Sequence, residues 1–237
     1  MRADEDSAWQ EIADIVDSSL YPDLVEHGGL VAALSHEASE CGMDLGEIGP
    51  GGSSAASHLI SAHLNSDRGP VFVRLGAQER WFSISIESSV RPWAAGGTDD
   101  LRTVVKALDA WRKGATLIEL NARFPFLGYD ELALAYENGD PVATQWDLLF
   151  RYEKRPIFRE MLQAVHADAW LRTLFPYLSM GRFGLTRDHA SRMGGGVRMA
   201  PLKGGGYCVE KYPSGERIEV ESLGKVIGAA REFLDYP

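Results

Sequence analysis

The chain has 237 residues, 45% apolar and 24% charged, enough to bury a core without covalent staples. Its formal net charge of −10 argues against nucleic-acid binding, which depends on neutralising phosphates with Lys and Arg. No apolar run approaches the roughly 18 residues a membrane span requires, and the acidic opening MRADEDSAWQ lacks the basic start of a signal peptide, so a soluble cytoplasmic protein is expected, without membrane association.

In chain order, Ser7 and Gln10 suggest a capping box before Trp9, Ile12, Ala13, Val16 and Leu20, an amphipathic helix over residues 1–22 that packs in cis or on a partner. A helix from Asp23 to Cys41 follows, with Leu30, Val31, Leu34, Ala38 and Cys41 inward and Gly42 ending it. From His58 the period shortens to two: HLISAHL, VFVRLG from Val71 and RWFSISIES from Arg80 read as a three-stranded antiparallel meander. Leu45 to Ile48 and Val90 to Ala95 are possible extensions, and residues 23–97 form one helix-plus-meander segment.

Residues 98–176 read as a helical layer. Thr98 is expected as N-cap ahead of Asp99 and Asp100, and Leu101, Val104, Val105, Leu108 and Trp111 form one apolar stripe. Thr116 with Glu119 predicts a capping box, Pro125 a stop and Asp130 a new start. Pro156 suits a first helical position before Phe158, Met161, Leu162, Val165 and Ala169, and Pro176 is expected to end the helices. Residues 177–237 then read as four short strands, with turns at Gly194 to Gly196, Gly204 to Gly206 and Pro213 to Gly215, closed by a helix that Ser222 caps. The fold class is α+β: an antiparallel meander with helices, a central helical layer, and a second small antiparallel sheet closed by a C-terminal helix. Two lobes sharing the helices is the preferred arrangement.

The strings TDDL at Thr98, AWRKGA at Ala110, RFPFL at Arg123, QWDLL at Gln145, LFPYLSMGRFGLTR at Leu174 and APLKGGGYCVEKYPSGE at Ala200 carry a resemblance that covers nearly everything from Gly28 onward. The chain resembles an uncharacterised actinobacterial family, domain-of-unknown-function family 6193, whose members are labelled natural product biosynthesis proteins. These strings are packing and turn sequences. They imply kinship and a pathway context, and no residue's role is transferred from the family.

The chemistry is sparse. GxGxxG after a strand, GxxxxGK[ST], GxSxG and CxxC are all missing, so no cofactor is predicted. His58 and His63 fall on different faces of either regular element, and HExxE at His36 lacks its second histidine, so no metal is predicted. Cys41 and Cys208 fit neither a disulfide framework nor a zinc knuckle and read as buried thiols.

Basic charge gathers late: from Trp170 onward ten basic residues face seven acidic ones. Within that segment RFGLTRDHASRMGGGVR holds Arg182, Arg187, Arg192 and Arg198 beside Asp188, His189 and a glycine run. Guanidinium forks suit carboxylates or phosphates, and glycines let backbone N–H groups approach an anion. The candidate site is this anion-binding loop, with Arg182, Arg187 and Arg198 holding substrate. If there is catalysis, Asp188 and His189 supply general acid and base. The alternative is a solvated basic loop. Trp81, Trp93, Trp111 and Trp146 either pack the core or line a cleft, and Trp146 is taken as the substrate contact. Two functions follow. One is an accessory or tailoring protein of a natural-product pathway that binds a precursor peptide or small acidic intermediate. The other is a non-catalytic interaction module, such as an immunity or self-protection partner.

Overall fold

The computed structural model describes residues 12, 15–89, 91–190 and 195–235. Ser7, Trp9, Gln10, Ala13, Val90 and Arg192 therefore lie outside the described residues. The chain divides into two compact units, residues 1–134 and 135–237. Among the described residues no helix is long and apolar enough to cross a membrane.

In the first unit α1 (Pro22–His27) and α2 (Leu30–Glu40) replace the single helix expected from Asp23 to Cys41. Gly28 takes a left-handed φ of 86° and Gly29 a φ of 103°, and their N–H groups cap Val25 and Leu24. A glycine pair ends a helix at no steric cost, and this outweighs the continuing apolar period. Strand β1 (Ile48–Pro50) and the short α3 (Ser57–Ile60) precede β2 (Ser61–Ser66), β3 (Gly69–Leu75), β4 (Phe82–Glu87) and β5 (Pro92–Thr98), which make an antiparallel sheet in that order. The predicted strand at His58 is thus half helix.

Alternation puts Ala62, Leu64, Val71, Val73, Phe82, Ile84 and Ile86 on one buried face, where α2 and α4 (Leu101–Arg112) pack. Asp100, not Thr98, caps α4, accepting from the Arg102 and Thr103 N–H groups, because Thr98 is still the last residue of β5. The capping box of Thr116 and Glu119 starts α5 (Leu117–Arg123). The chain then crosses β5 so closely that a Cβ on Gly96 would lie 1.7 Å from the Phe126 carbonyl oxygen, and Ala95 and Gly128 exchange both backbone bonds at 2.9 Å. Ile12, Val16 and Leu20 pack against this core, so the described end of the N-terminal segment docks in cis.

Helix α6 (Glu131–Asn138) spans the division between units. The second unit continues with α7 (Pro141–Tyr152), α8 (Pro156–Ala167) and a 3₁₀ turn (Leu171–Thr173). Its sheet follows: β6 (Phe175–Ser179), β7 (Arg182–Thr186), β8 (Gly196–Pro201), β9 (Tyr207–Tyr212) and β10 (Arg217–Val220), all antiparallel neighbours, closed by α9 (Leu223–Phe233). Among the described residues there are five strands rather than four. Pro176, expected to end the helices, sits inside β6, an outermost strand where a missing N–H costs no ladder bond.

Phe183, Leu185, Val197, Met199 and Val209 are fully buried beneath α8 and α9. Trp146 is part of this core: it is 2% exposed, packs on Phe183 and His166, and donates its indole N–H to the Arg172 and Leu174 carbonyls at 2.9 and 3.2 Å.

Between α7 and α8 the Glu153 carboxylate accepts three bonds from Arg155, including the backbone N–H at 2.8 Å and Nη2 at 2.6 Å. The Arg155 side chain holds this carboxyl down to about 2 from an ordinary 4.5, against the opposing effect of burial. A depressed carboxylate adds stability that is complete above its unfolded value and lost as pH falls through its folded one. Glu153→Gln should lower the thermal midpoint at pH 7, and the gap to the parent should narrow between pH 4.5 and 2. Paired thermal melts across that range measure it, and a constant gap would refute the assignment.

Candidate functional site

The second sheet buries one face and leaves the other wet, and strand register decides what meets there. Tyr177, Gly184, Arg198, Glu210 and Arg217 stand opposite one another in a row across all five strands. The adjacent row is Ser179, Arg182, then Ala200, Cys208 and Glu219.

Arg198 is the centre of this outer face. Its guanidinium lies 3.8 Å from the Tyr212 ring centroid, a stacked cation–π contact, and its Nε donates to the Tyr177 hydroxyl at 3.5 Å. Tyr177 reaches it across Gly184, where a Cβ would fall 2.2 Å from the tyrosine ring. Tyr177 first, then Tyr212 and Glu210, favour the charged form of Arg198 and raise its pKa above the ordinary range, while burial opposes them. The stacking and the Nε bond leave both terminal amino groups without an acceptor among the described residues. A flat guanidinium with its two-pronged edge open is the geometry that receives a carboxylate bidentately.

The surroundings form a depression of about 210 Å³ lined by Arg182, Arg198, Arg217, Cys208, Glu210 and Glu219, with Ala200 and Leu202 as its apolar wall. Arg182 is bound to Glu210 at 2.5 Å. Arg217 is exposed beside them. Cys208, expected as a buried thiol, is half-buried in this wall, and Cys41 is half-buried beside Glu37; burial first, then the Glu37 carboxylate, raises its pKa.

The structure therefore brings Arg182 and Arg198 together and separates the remaining predicted residues from them. Arg187 binds the Leu234 carbonyl and, at 3.0 Å, that of Asp235, and lies over the Trp170 ring at 5.3 Å, so it tethers the end of α9. Asp188 accepts from the Ala190 N–H at 3.0 Å in a local turn. The His189 ring packs against Tyr136 and Phe175 at 5.3 and 5.4 Å, with Nδ1 enclosed and unpartnered among the described residues. Neither Asp188 nor His189 lines the depression. Trp146 lies in the core beneath the sheet's other face. Tyr177, Tyr212, Glu210 and Arg217 were absent from the sequence-derived set. Alternation within GYCVEKY already places Cys208, Glu210 and Tyr212 on one face, but only the register shows that this face is Arg198's.

Elsewhere, His36 stacks on His27 with centroids 4.0 Å apart. His58 and His63 bond the Ala55 and Pro50 carbonyls. Among the described residues no group of three or more His, Cys, Asp or Glu side chains gathers as a metal site.

Compared with known proteins, the chain matches no family model, no curated protein and no solved structure.

The tether role of Arg187 has a measurable consequence. Removing a charged donor from two terminal carbonyls costs about 1–3 kcal/mol. Arg187→Ala should therefore lower unfolding stability by that order in a urea titration, while anion affinity at Arg198 stays as in the parent. Lost affinity with unchanged stability would contradict it.

Proposed function

We propose that the protein is a cytoplasmic accessory or tailoring component of a natural-product biosynthetic pathway. In this reading its C-terminal sheet captures a carboxylate-bearing precursor peptide or small acidic intermediate on the outer face. The observation that carries the binding is Arg198, clamped between Tyr212 and Tyr177 with its fork open. Arg217, the Arg182–Glu210 ion pair, Glu219 and an apolar wall surround it, the mix of a few placed polar groups and apolar lining that small-ligand sites use.

Charge agrees. From Ala135 onward fourteen basic residues balance thirteen acidic ones, while the first unit holds ten against twenty-one, so an acidic ligand is repelled by one unit and received by the other. The pathway context rests on the family resemblance of the strings at Thr98, Arg123, Leu174 and Ala200. Cys41 and Cys208 are both free thiols, the state a reducing cytoplasm maintains.

Citrate and a blocked tetraglutamate peptide are suitable probes in calorimetric titration. Arg198→Ala should weaken binding at least about tenfold, and Arg198→Lys should recover little of it, because an ammonium lacks the planar fork. Binding should also weaken with added salt. Affinity indifferent to both Arg198 variants would sink the proposal.

One observation favours the second reading, a protein-interaction module. Met180, at the tip of the β6–β7 hairpin, is 100% exposed and holds a φ of 49°, with Gly181 at 73°. This is a turn that prefers Asn-Gly, and an apolar side chain there is disfavoured by both solvent and backbone. Met180→Asn should raise the thermal midpoint and, if the tip anchors a protein partner, release any partner that copurifies at fixed stoichiometry. Retention of the partner by the variant would exclude the tip as the contact.

A further inference from the structure

A sheet has two edges, and natural proteins guard exposed ones against pairing with another chain. Among the described residues, three of the four sheet edges carry a proline. Strand β1 holds Pro50. Strand β5 begins at Pro92, and Gly128 already pairs with Ala95 on its open side. Strand β6 contains Pro176 and has α7 packed on it. The fourth, β10, reads Arg-Ile-Glu-Val: it has no proline and an unbroken register to β9, and its guards are its four-residue length and two charges of opposite sign, a pattern that a second antiparallel copy complements. Ile218 is 43% exposed on it, among the few large apolar side chains left in solvent.

The hydrogen-bond phase of this edge follows from the hairpin. The Lys211 N–H donates to the Glu216 carbonyl at 2.7 Å. Bonded and non-bonded pairs alternate along antiparallel strands. Ile218 and Val220 therefore aim their backbone groups at β9, opposite Val209 and Tyr207. Arg217 and Glu219 aim theirs outward, where no described backbone group meets them.

We propose that β10 is a homodimerisation edge, pairing antiparallel with β10 of a second copy about a two-fold axis at Ile218. In that register Arg217 stands opposite the partner's Glu219, and Glu219 opposite the partner's Arg217. Both residues already point their N–H and C=O groups outward, so the two bonded pairs close without any change of phase. Ile218 meets its own copy at the axis, in a non-bonded pair, where cross-strand side chains approach most closely.

The neighbouring registers are self-excluding. A shift of one pair toward the turn sets Arg217 against Arg217, and a shift the other way sets Glu219 against Glu219, so charge selects the central one. The contact is isologous and closes on itself, giving a dimer and not a filament. It would also join the two outer faces into one ten-stranded surface, each copy's Arg217 and Glu219 bordering the other's depression.

Charge exchange tests this. The intact protein is measured by sedimentation equilibrium up to about 500 µM, because an interface of one short strand belongs to the weak class under about 1,200 Å². A dimer is expected in the parent. Arg217→Glu and Glu219→Arg should each be monomeric, since each places like charges opposite one another. The double variant, Arg217→Glu with Glu219→Arg, should dimerise again. An equimolar mixture of the two single variants should form a heterodimer, since every facing pair is then of opposite sign. A monomeric parent at the highest concentration would overturn the proposal. So would single variants that dimerise like the parent, or a mixture that stays monomeric although both proteins melt cooperatively. Far-ultraviolet circular dichroism of each variant shows that the hairpin itself survives.

Discussion

An antiparallel strand repeats every two residues, and both sheets of this protein are arranged by that period. Each sheet must bury one face, and whatever occupies the alternate positions is committed to the other. In the second unit Phe183, Leu185, Val197, Met199 and Val209 fill the buried set. Tyr177, Arg182, Arg198, Cys208, Glu210 and Tyr212 are therefore carried outward together whether or not any of them attracts the others. The arginine face is a by-product of the core's register, built on positions that packing left open.

Close backbone approach is the second device. Gly184 lets Tyr177 lie flat across β7 to reach Arg198, as Gly97 lets the Trp81 indole lie across β5 in the first unit, where a Cβ would fall 2.4 Å from Nε1. In both sheets an aromatic ring takes the space that the missing side chain vacates, covering a weak strand position with apolar surface. Phase acts in the same way at the edge. Because alternate residues turn their backbone groups out, β10 presents Arg217 and Glu219 to solvent with backbone groups that no described backbone group meets.

Much of the architecture was legible in the residues. The capping box at Thr116, the Pro156 helix start, the Ser222 cap and the stripe through Trp111 all act within one or two helical turns, so spacing alone identifies them. The misreadings have equally local causes. Gly28 and Gly29 break a period that otherwise continues. Thr98 and Asp100 both carry capping oxygens, and the end of β5 decides between them. Pro176 reads as a stop unless its strand is known to be outermost.

Fold class, most elements and the basic character of the last third can be read from the residues in order, because periodicity, caps and charge are properties of chain neighbours. Which basic residues meet depends on strand pairing across the sheet. Arg187 and Arg198 lie eleven positions apart in one glycine-rich stretch, yet one tethers the last helix and the other faces a ligand-sized depression. Tyr177 and Tyr212, thirty-five positions apart, hold the same guanidinium. Strand pairing brings such distant residues into contact and points chain neighbours in opposite directions, and the free energy that selects the pairing comes from the buried face, which no single outward residue reveals.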